Sequence, residues 1–263
     1  GRLTDRRRTE NTVRRQKSWL EQAVEITDQL LRENPEDDAA RLVRAQSYRG
    51  LAVLLDPTAQ AEQFKQLITD AVQQIELLQA KYPTNPQYAY SLALTYTIPL
   101  AMEDSTAFEY LQKAAALTKT LCADSSQVIE FHQLNSIIHV ELAKHWFDQK
   151  QDDDGIECLS VAASSLSQLV QTVPSLLYYR LEYGNVSLAL SKKLQEKNLM
   201  RRAIAILEHS TADGRAAEEK VPLLQRIRPL EIRQYQALAD LYQSTGNRQG
   251  VQRVNRELRR PRG

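Results

Sequence analysis

Residues 235–246 read Tyr235-Gln236-Ala237-Leu238-Ala239-Asp240-Leu241-Tyr242-Gln243-Ser244-Thr245-Gly246. Tyr235, Leu238, Ala239 and Tyr242 fall on one face of a helix, with polar side chains between them. Thr245-Gly246-Asn247 then stops that helix and opens the next. A rod carrying one oily stripe is too narrow to shelter it, so the stripe must be kept dry by a neighbouring rod.

The same grammar extends through the chain. Ser18 to Glu33 predicts a helix with Trp19, Ala23, Ile26, Leu30 and Leu31 on its apolar face, stopped at Asn34-Pro35-Glu36-Asp37-Asp38. A second helix runs to about Leu55, where Asp56-Pro57 closes it. Helices follow from about Gln60 to Lys81 and from Pro86 through Tyr96, where Pro99 ends or kinks the second. A third pair covers about Thr106–Leu121 and Ser126–Gln149, and a fourth about Ile156–Thr172 and Ser175–Glu196. Asn198–Ser210 gives one more helix, broken at Asp213-Gly214. Leu223–Ser244, with Pro229 inside it, and Arg248–Arg259 make the last pair. The count is about ten or eleven helices. Pro35, Pro83 and Pro174 lie 48 and 91 residues apart, an irregular supersecondary period of the kind that builds solenoids.

Composition agrees, because only 8 Gly and 9 Pro punctuate 263 residues otherwise filled by strong helix formers. The expected fold is all-α: a right-handed superhelical stack of antiparallel helix pairs, as one domain over 18–263. The formal charge of +1 is unevenly spread. Residues 2–17 carry +5 and Arg248–Arg262 carry +5, which leaves −9 on 18–247. Residues 1–17 are therefore read as a basic, flexible arm. No aromatic side chains interleave with the arginines, and the body is acidic, which argues against nucleic acid as the main partner.

Ala stands one turn before Tyr at Ala45/Tyr48, Ala93/Tyr96 and Ala239/Tyr242. This spacing, with the aromatic, Leu, small residue, Tyr and Gly of 235–246, resembles the tetratricopeptide repeat, in which a small residue permits a close helix crossing and a Tyr packs one turn later. Val251 and Asn255 depart from that pattern. A broader likeness lies in Leu77-Leu78-Gln79-Ala80-Lys81-Tyr82-Pro83, Asn85-Pro86-Gln87-Tyr88 and Val173-Pro174 with Tyr178-Tyr179-Arg180-Leu181-Glu182. It resembles the C-terminal region of bacterial membrane-anchored negative effectors of extracytoplasmic-function sigma factors and of related serine/threonine kinases. That resemblance implies an anti-sigma type regulator or, alternatively, a structural or ligand-sensing module of a kinase. It also implies the extracytoplasmic domain of a bacterial inner-membrane protein, whose membrane segment precedes the basic arm. The chain opens on Gly1 instead of Met, and it is read as a piece of a longer protein.

Catalytic signatures are missing. There is no G-x-G-x-x-G, no G-x-x-x-x-G-K-[ST] and no G-x-S-x-G. Aligning Gly155 of Asp152-Asp153-Asp154-Gly155 with the glycine of an EF-hand puts Lys150 and Val161 at ligand positions, so that run reads as a turn capping the next helix. His132 and His139 share a face without a third ligand, and His139 and His145 do not align. Cys122 and Cys158 read as buried free thiols or as one disulfide between neighbouring helices. Trp19 and Trp146 read as core or end-cap anchors. No catalytic residue, metal site or cofactor is expected.

What remains is a binding scaffold gripping a protein or peptide partner on a concave face, for which Gln46, Arg49, Gln236, Asp240 and Gln243 are the expected contacts. A passive structural or sensory module is the competing class, and a hydrolase the third.

Overall fold

The computed structural model describes the chain at residues 2–101, 105–221 and 227–259, and its side chains at 11–99, 106–221 and 227–259. The helices are α1 (Arg2–Glu33), α2 (Asp38–Val53), α3 (Ala61–Lys81), α4 (Pro86–Tyr96), α5 (Ser105–Asp124) and α6 (Ile129–Asp148). They continue as α7 (Asp152–Thr172), α8 (Leu177–Glu196), α9 (Met200–Lys220), α10 (Arg228–Ser244) and α11 (Arg248–Arg259). No strand occurs among the described residues. The described residues are all-α, a succession of antiparallel helix pairs, as the sequence predicts.

Contacts group the chain into two compact units, residues 1–121 and 122–263. In the first, α1 packs on α2, α2 on α3 and α3 on α4. Its core holds Phe64, Ile68, Ile75 and Leu78 of α3, with Ala45 of α2 and Ala93 of α4 fully buried. In the second, α6 through α11 pack in chain order, and α7 also reaches α9 as α8 reaches α10. Leu159, Leu166, Leu169, Tyr183, Leu190, Leu207 and Tyr242 form one continuous core there.

Two kinds of turn recur, and both follow from local sequence. The Pro-bearing stops share one hydrogen-bond pattern. Asn34 N donates to Leu30 O at 2.8 Å and Asp37 N to Asn34 O at 3.1 Å; Tyr82 N donates to Leu78 O at 2.9 Å and Asn85 N to Tyr82 O at 3.0 Å; Val173 N donates to Leu169 O at 2.8 Å and Leu176 N to Val173 O at 3.1 Å. Asp37 and Asn85 then cap the following helices, accepting from Ala40 N and Gln87 N at 2.9 Å each, and Pro86 occupies the first turn. A second kind of turn is tight and left-handed, at Lys150 (φ 60°), Asn198 (φ 58°) and Gly246 (φ 73°). Each is closed by a six-residue bond, Gln151 N to Trp146 O at 2.8 Å, Leu199 N to Leu194 O at 2.8 Å and Asn247 N to Tyr242 O at 2.7 Å. The tight hairpins are therefore α6–α7, α8–α9 and α10–α11.

This regroups the pairs. The sequence grammar joins α5 with α6 and α7 with α8, whereas the left-handed turns make α6, α8 and α10 the first helices of their hairpins. The eighth residue of α2, α4, α6 and α8 is Ala45, Ala93, Ser136 and Gly184, buried every time. At Gly184 a Cβ would stand 2.5 Å from Leu230 Cδ2 of α10, so only a hydrogen fits. Counted the same way, Tyr48 and Tyr96 are the eleventh residues of α2 and α4, a position that α10 fills with Leu238 and not with Tyr242. Tyr242 instead faces Gly250 across the α10–α11 hairpin, as Phe147 faces Gly155 across α6–α7.

Several boundaries differ from expectation. α1 begins at Arg2 and not near Ser18, because nothing between Arg2 and Glu33 breaks a helix: the stretch holds neither Gly nor Pro. Its core-facing residues are Leu20, Val24, Thr27 and Leu31, while Trp19, Ile26 and Leu30 of the expected stripe are exposed by 67%, 60% and 41%. Asp213-Gly214 does not break α9, which runs on to Lys220; one helical Gly costs only about 1 kcal/mol, and the Asp213 carboxylate is held by the Ser167 hydroxyl at 2.8 Å. Asp152, Asp153 and Asp154 form the first turn of α7, where carboxylates suit the exposed N–H groups. Pro99 ends α4 and sits in a short 3-10 turn, Ile98–Ala101. Pro229 occupies the first turn of α10, and 222–226 lie outside the described residues.

Candidate functional site

α6 and α8 lie side by side as the first helices of successive hairpins, and an open furrow runs between them. It encloses about 330 Å³ and is lined from α6 by Gln133, Ile137, Val140, Glu141 and Lys144 and from α8 by Tyr178, Tyr179 and Glu182. Its floor is closed by Leu166 of α7 and the small side chain of Ser136. The apolar contribution is partly open to water: Tyr178 is exposed by 54% and Ile137 by 38%.

Position and charge are fixed locally. Tyr179 is buried, and its hydroxyl donates to Gln133 Oε1 at 3.1 Å, linking α8 to α6. Tyr178 packs edge-on against it, with ring centroids 5.7 Å apart, and so is held outward with its face open. Burial raises the Tyr178 phenol pKa, and nearby Glu182 raises it further; burial and then Glu130 do the same at Tyr179. Lys144 is engaged by Glu141 at 2.6 Å. Glu182 thus faces the furrow beside two aromatic rings, an arrangement that accepts an apolar side chain with a neighbouring cation.

Sequence reasoning names the outward faces of α2 and α10 instead. Gln46, Gln236, Asp240 and Gln243 are exposed on those helices. Arg49 is half-buried, and its Nη1 donates to both the carbonyl and the hydroxyl of Ser91 at 3.5 Å. Burial lowers the Arg49 pKa. Gln46 and Arg49 belong to the first unit and Gln236, Asp240 and Gln243 to the second. The furrow residues Ile137, Tyr178 and Glu182 were missed. Their one sequence signal is the Tyr178-Tyr179 doublet at a helix start, which places one ring inward and the next outward.

Elsewhere, side chains of catalytic type meet without catalytic geometry. Ser167 of α7 donates to Asp213 Oδ2 at 2.8 Å and lies 3.3 Å from His209 Nε2, while that same nitrogen is 3.5 Å from Asp213 Oδ2. A nucleophile–base–acid relay needs the carboxylate on the imidazole's other nitrogen and the serine proton directed at the base. Here the serine proton goes to the carboxylate, and the cluster ties α7 to α9. Cys122 and Cys158 are free, and burial pushes each thiol up to about 11, away from thiolate chemistry. Burial also lowers the His139 pKa, and its Nδ1 meets Asn135 O at 2.9 Å. Among the described residues no group of three or more His, Cys, Asp or Glu could hold a metal ion, and no helix is long and apolar enough to cross a membrane. The buried Arg180, Glu231 and Gln234 line a cavity of about 20 Å³, room for a water and no more.

No family model matches this sequence, and no curated protein does. Solved structures do resemble it. BtubC (BKLC) from P. vanneervenii aligns with 94% of this chain and 89% of its own at 15% identity and a TM-score of 0.51, a likeness of fold alone. TTC0263, a thermophilic TPR protein in Thermus thermophilus, aligns with 81% of this chain and 89% of its own at 20% identity and a TM-score of 0.37. Yeast Tom70 aligns with 83% of this chain and 60% of its own at 13% identity and a TM-score of 0.17.

Proposed function

We propose that this chain is a non-enzymatic scaffold that holds a peptide or helix of a partner protein, and that the α6/α8 furrow is its grip. The observation that carries this is Tyr178, exposed by 54% on a rigid helix and flanked by Ile137 and Glu182. An aromatic anchor beside an acidic group suits a segment pairing an apolar residue with Lys or Arg. The exposed Gln46, Gln236, Asp240 and Gln243, with the half-buried Arg49, are proposed as further contacts on their own helices.

A displayed library of random peptides, selected on the whole chain, tests the reading. Enriched peptides should carry adjacent apolar and basic residues, and their affinity should drop tenfold or more, a loss of about 1.4 kcal/mol, in Tyr178→Ala and in Glu182→Lys. Absence of enrichment, or binding indifferent to both changes, overturns it.

The finer reading is that the held partner belongs to sigma-factor regulation, with this chain as the partner-binding part of an anti-sigma type effector. It rests on the cadence of residues 77–88 and 173–182. The alternative is a structural or ligand-sensing module of a membrane-anchored kinase. Co-purification with an extracytoplasmic-function sigma factor or its effector, lost in Tyr178→Ala, supports the first; its absence removes it.

A further inference from the structure

The exposed apolar residues of α1 form a stripe with a regular spacing. Trp19, Ala23, Ile26 and Leu30 are separated by four, three and four residues, the alternation that keeps one seam facing a partner helix along its length. Trp19, Ile26 and Leu30 are exposed by 67%, 60% and 41%, whereas the neighbouring face, with Leu20, Val24, Thr27 and Leu31, meets α2. The seam is therefore a second apolar face on a helix whose first is already used.

The repeat itself identifies this as a packing face. α1 ends at Glu33 and α3 at Lys81, 48 residues later, and α2 and α4 begin 48 residues apart. Shifted by that interval, Trp19, Ala23, Ile26 and Leu30 become Leu67, Ala71, Gln74 and Leu78 of α3, none of them exposed and two fully buried. What α3 covers, α1 leaves open.

We infer that α1 pairs antiparallel with α1 of a second copy of this chain. The spacing reads the same in both directions. A two-fold axis between residues 24 and 25 sets Trp19 opposite the partner's Leu30, and Ala23 opposite the partner's Ile26, as an isologous interface requires. The charges fit the same axis. Arg15 and Glu33 both flank the seam on one side, and the axis brings Arg15 of one copy against Glu33 of the other. A parallel pairing would leave Arg15 of one copy and Glu33 of the other about 27 Å apart along the axis, unable to meet. α1 also has length to spare: at 32 residues it is twice as long as the 16-residue α2 that covers it, and residues 11–19 are exposed without exception. A charged helix without packing is marginal in water, and pairing supplies the packing.

The mass of the whole chain in solution decides the matter. Sedimentation of the native protein should give twice 30.0 kDa, falling toward 30.0 kDa on dilution as Trp19 emission shifts to the red. Ile26→Glu with Leu30→Glu should give 30.0 kDa at every concentration, with unchanged helicity and melting because both side chains face water in the single copy. Arg15→Glu alone and Glu33→Arg alone should each weaken the dimer tenfold or more, and the two together should restore it. A native protein that sediments at 30.0 kDa at about 100 μM, a dimer indifferent to the seam changes, or a charge swap without rescue overturns the pairing.

Discussion

Gly250 and Gly214 offer a matched pair of glycine-to-alanine changes with opposite expected signs. At Gly250, near the start of α11, a Cβ would stand 2.6, 2.7 and 2.7 Å from three ring atoms of Tyr242, well inside van der Waals contact. That ring has no room to retreat. Tyr242 is exposed by 1%, its hydroxyl donates to Glu208, and Arg253 donates to the hydroxyl at 2.6 Å. Overpacking of this kind costs about 1–3 kcal/mol, against at most about 1 kcal/mol gained from replacing Gly in a helix. Gly250→Ala should therefore lose about 1–2 kcal/mol. At Gly214, inside α9, a Cβ would meet nothing within 4 Å. Gly214→Ala keeps only the gain, about 0.5–1 kcal/mol of added stability. Urea titration followed by far-ultraviolet circular dichroism measures both, read as midpoints at an unchanged slope. If Gly250→Ala is as stable as the parent, or if Gly214→Ala is the weaker of the two, the close approach of α11 to Tyr242 is wrong.

Two further changes probe the ends of α2 and α4. Asn85→Ala removes the side-chain oxygen that accepts from Gln87 N at 2.9 Å and should lower the melting stability by about 1 kcal/mol, whereas Asn85→Asp should retain it; equal losses would show that the cap carries nothing. Asp38 accepts from the Tyr82 hydroxyl at 2.6 Å and from Lys81 at 2.9 Å, and these, the hydroxyl foremost, hold its carboxyl below the ordinary 3.8. A depressed carboxyl stabilises the fold fully above its unfolded pKa and loses that effect as the pH falls through the folded value. The urea midpoints of the parent and Asp38→Asn should thus differ by a constant amount above about pH 5 and converge in stronger acid; a difference that grows on acidification would reverse the assignment.

Much of the fold was legible in the chain because its signals are local. Pro35, Pro83 and Pro174 each follow the end of a helix, and Asn85 with Pro86 starts one by side-chain and ring geometry that needs no distant contact. Arg248–Arg259 and the break at Gly246 were legible for the same reason. The errors have one cause as well. Asp213-Gly214 carries a stop signal that α9 overrides, because Ser167 on α7 engages Asp213 and packing makes up for one helical glycine. Sequence spacing finds that Trp19, Ile26 and Leu30 share a helical face with Ala23, but not whether that face meets α2 or water. Side-chain period fixes which residues stand together; only the placement of the neighbouring helix decides what they stand against. The α6/α8 furrow belongs to this second kind of fact, since Ile137 and Tyr178 are 41 residues apart and become one surface only when the hairpins stack side by side over the small side chain of Ser136.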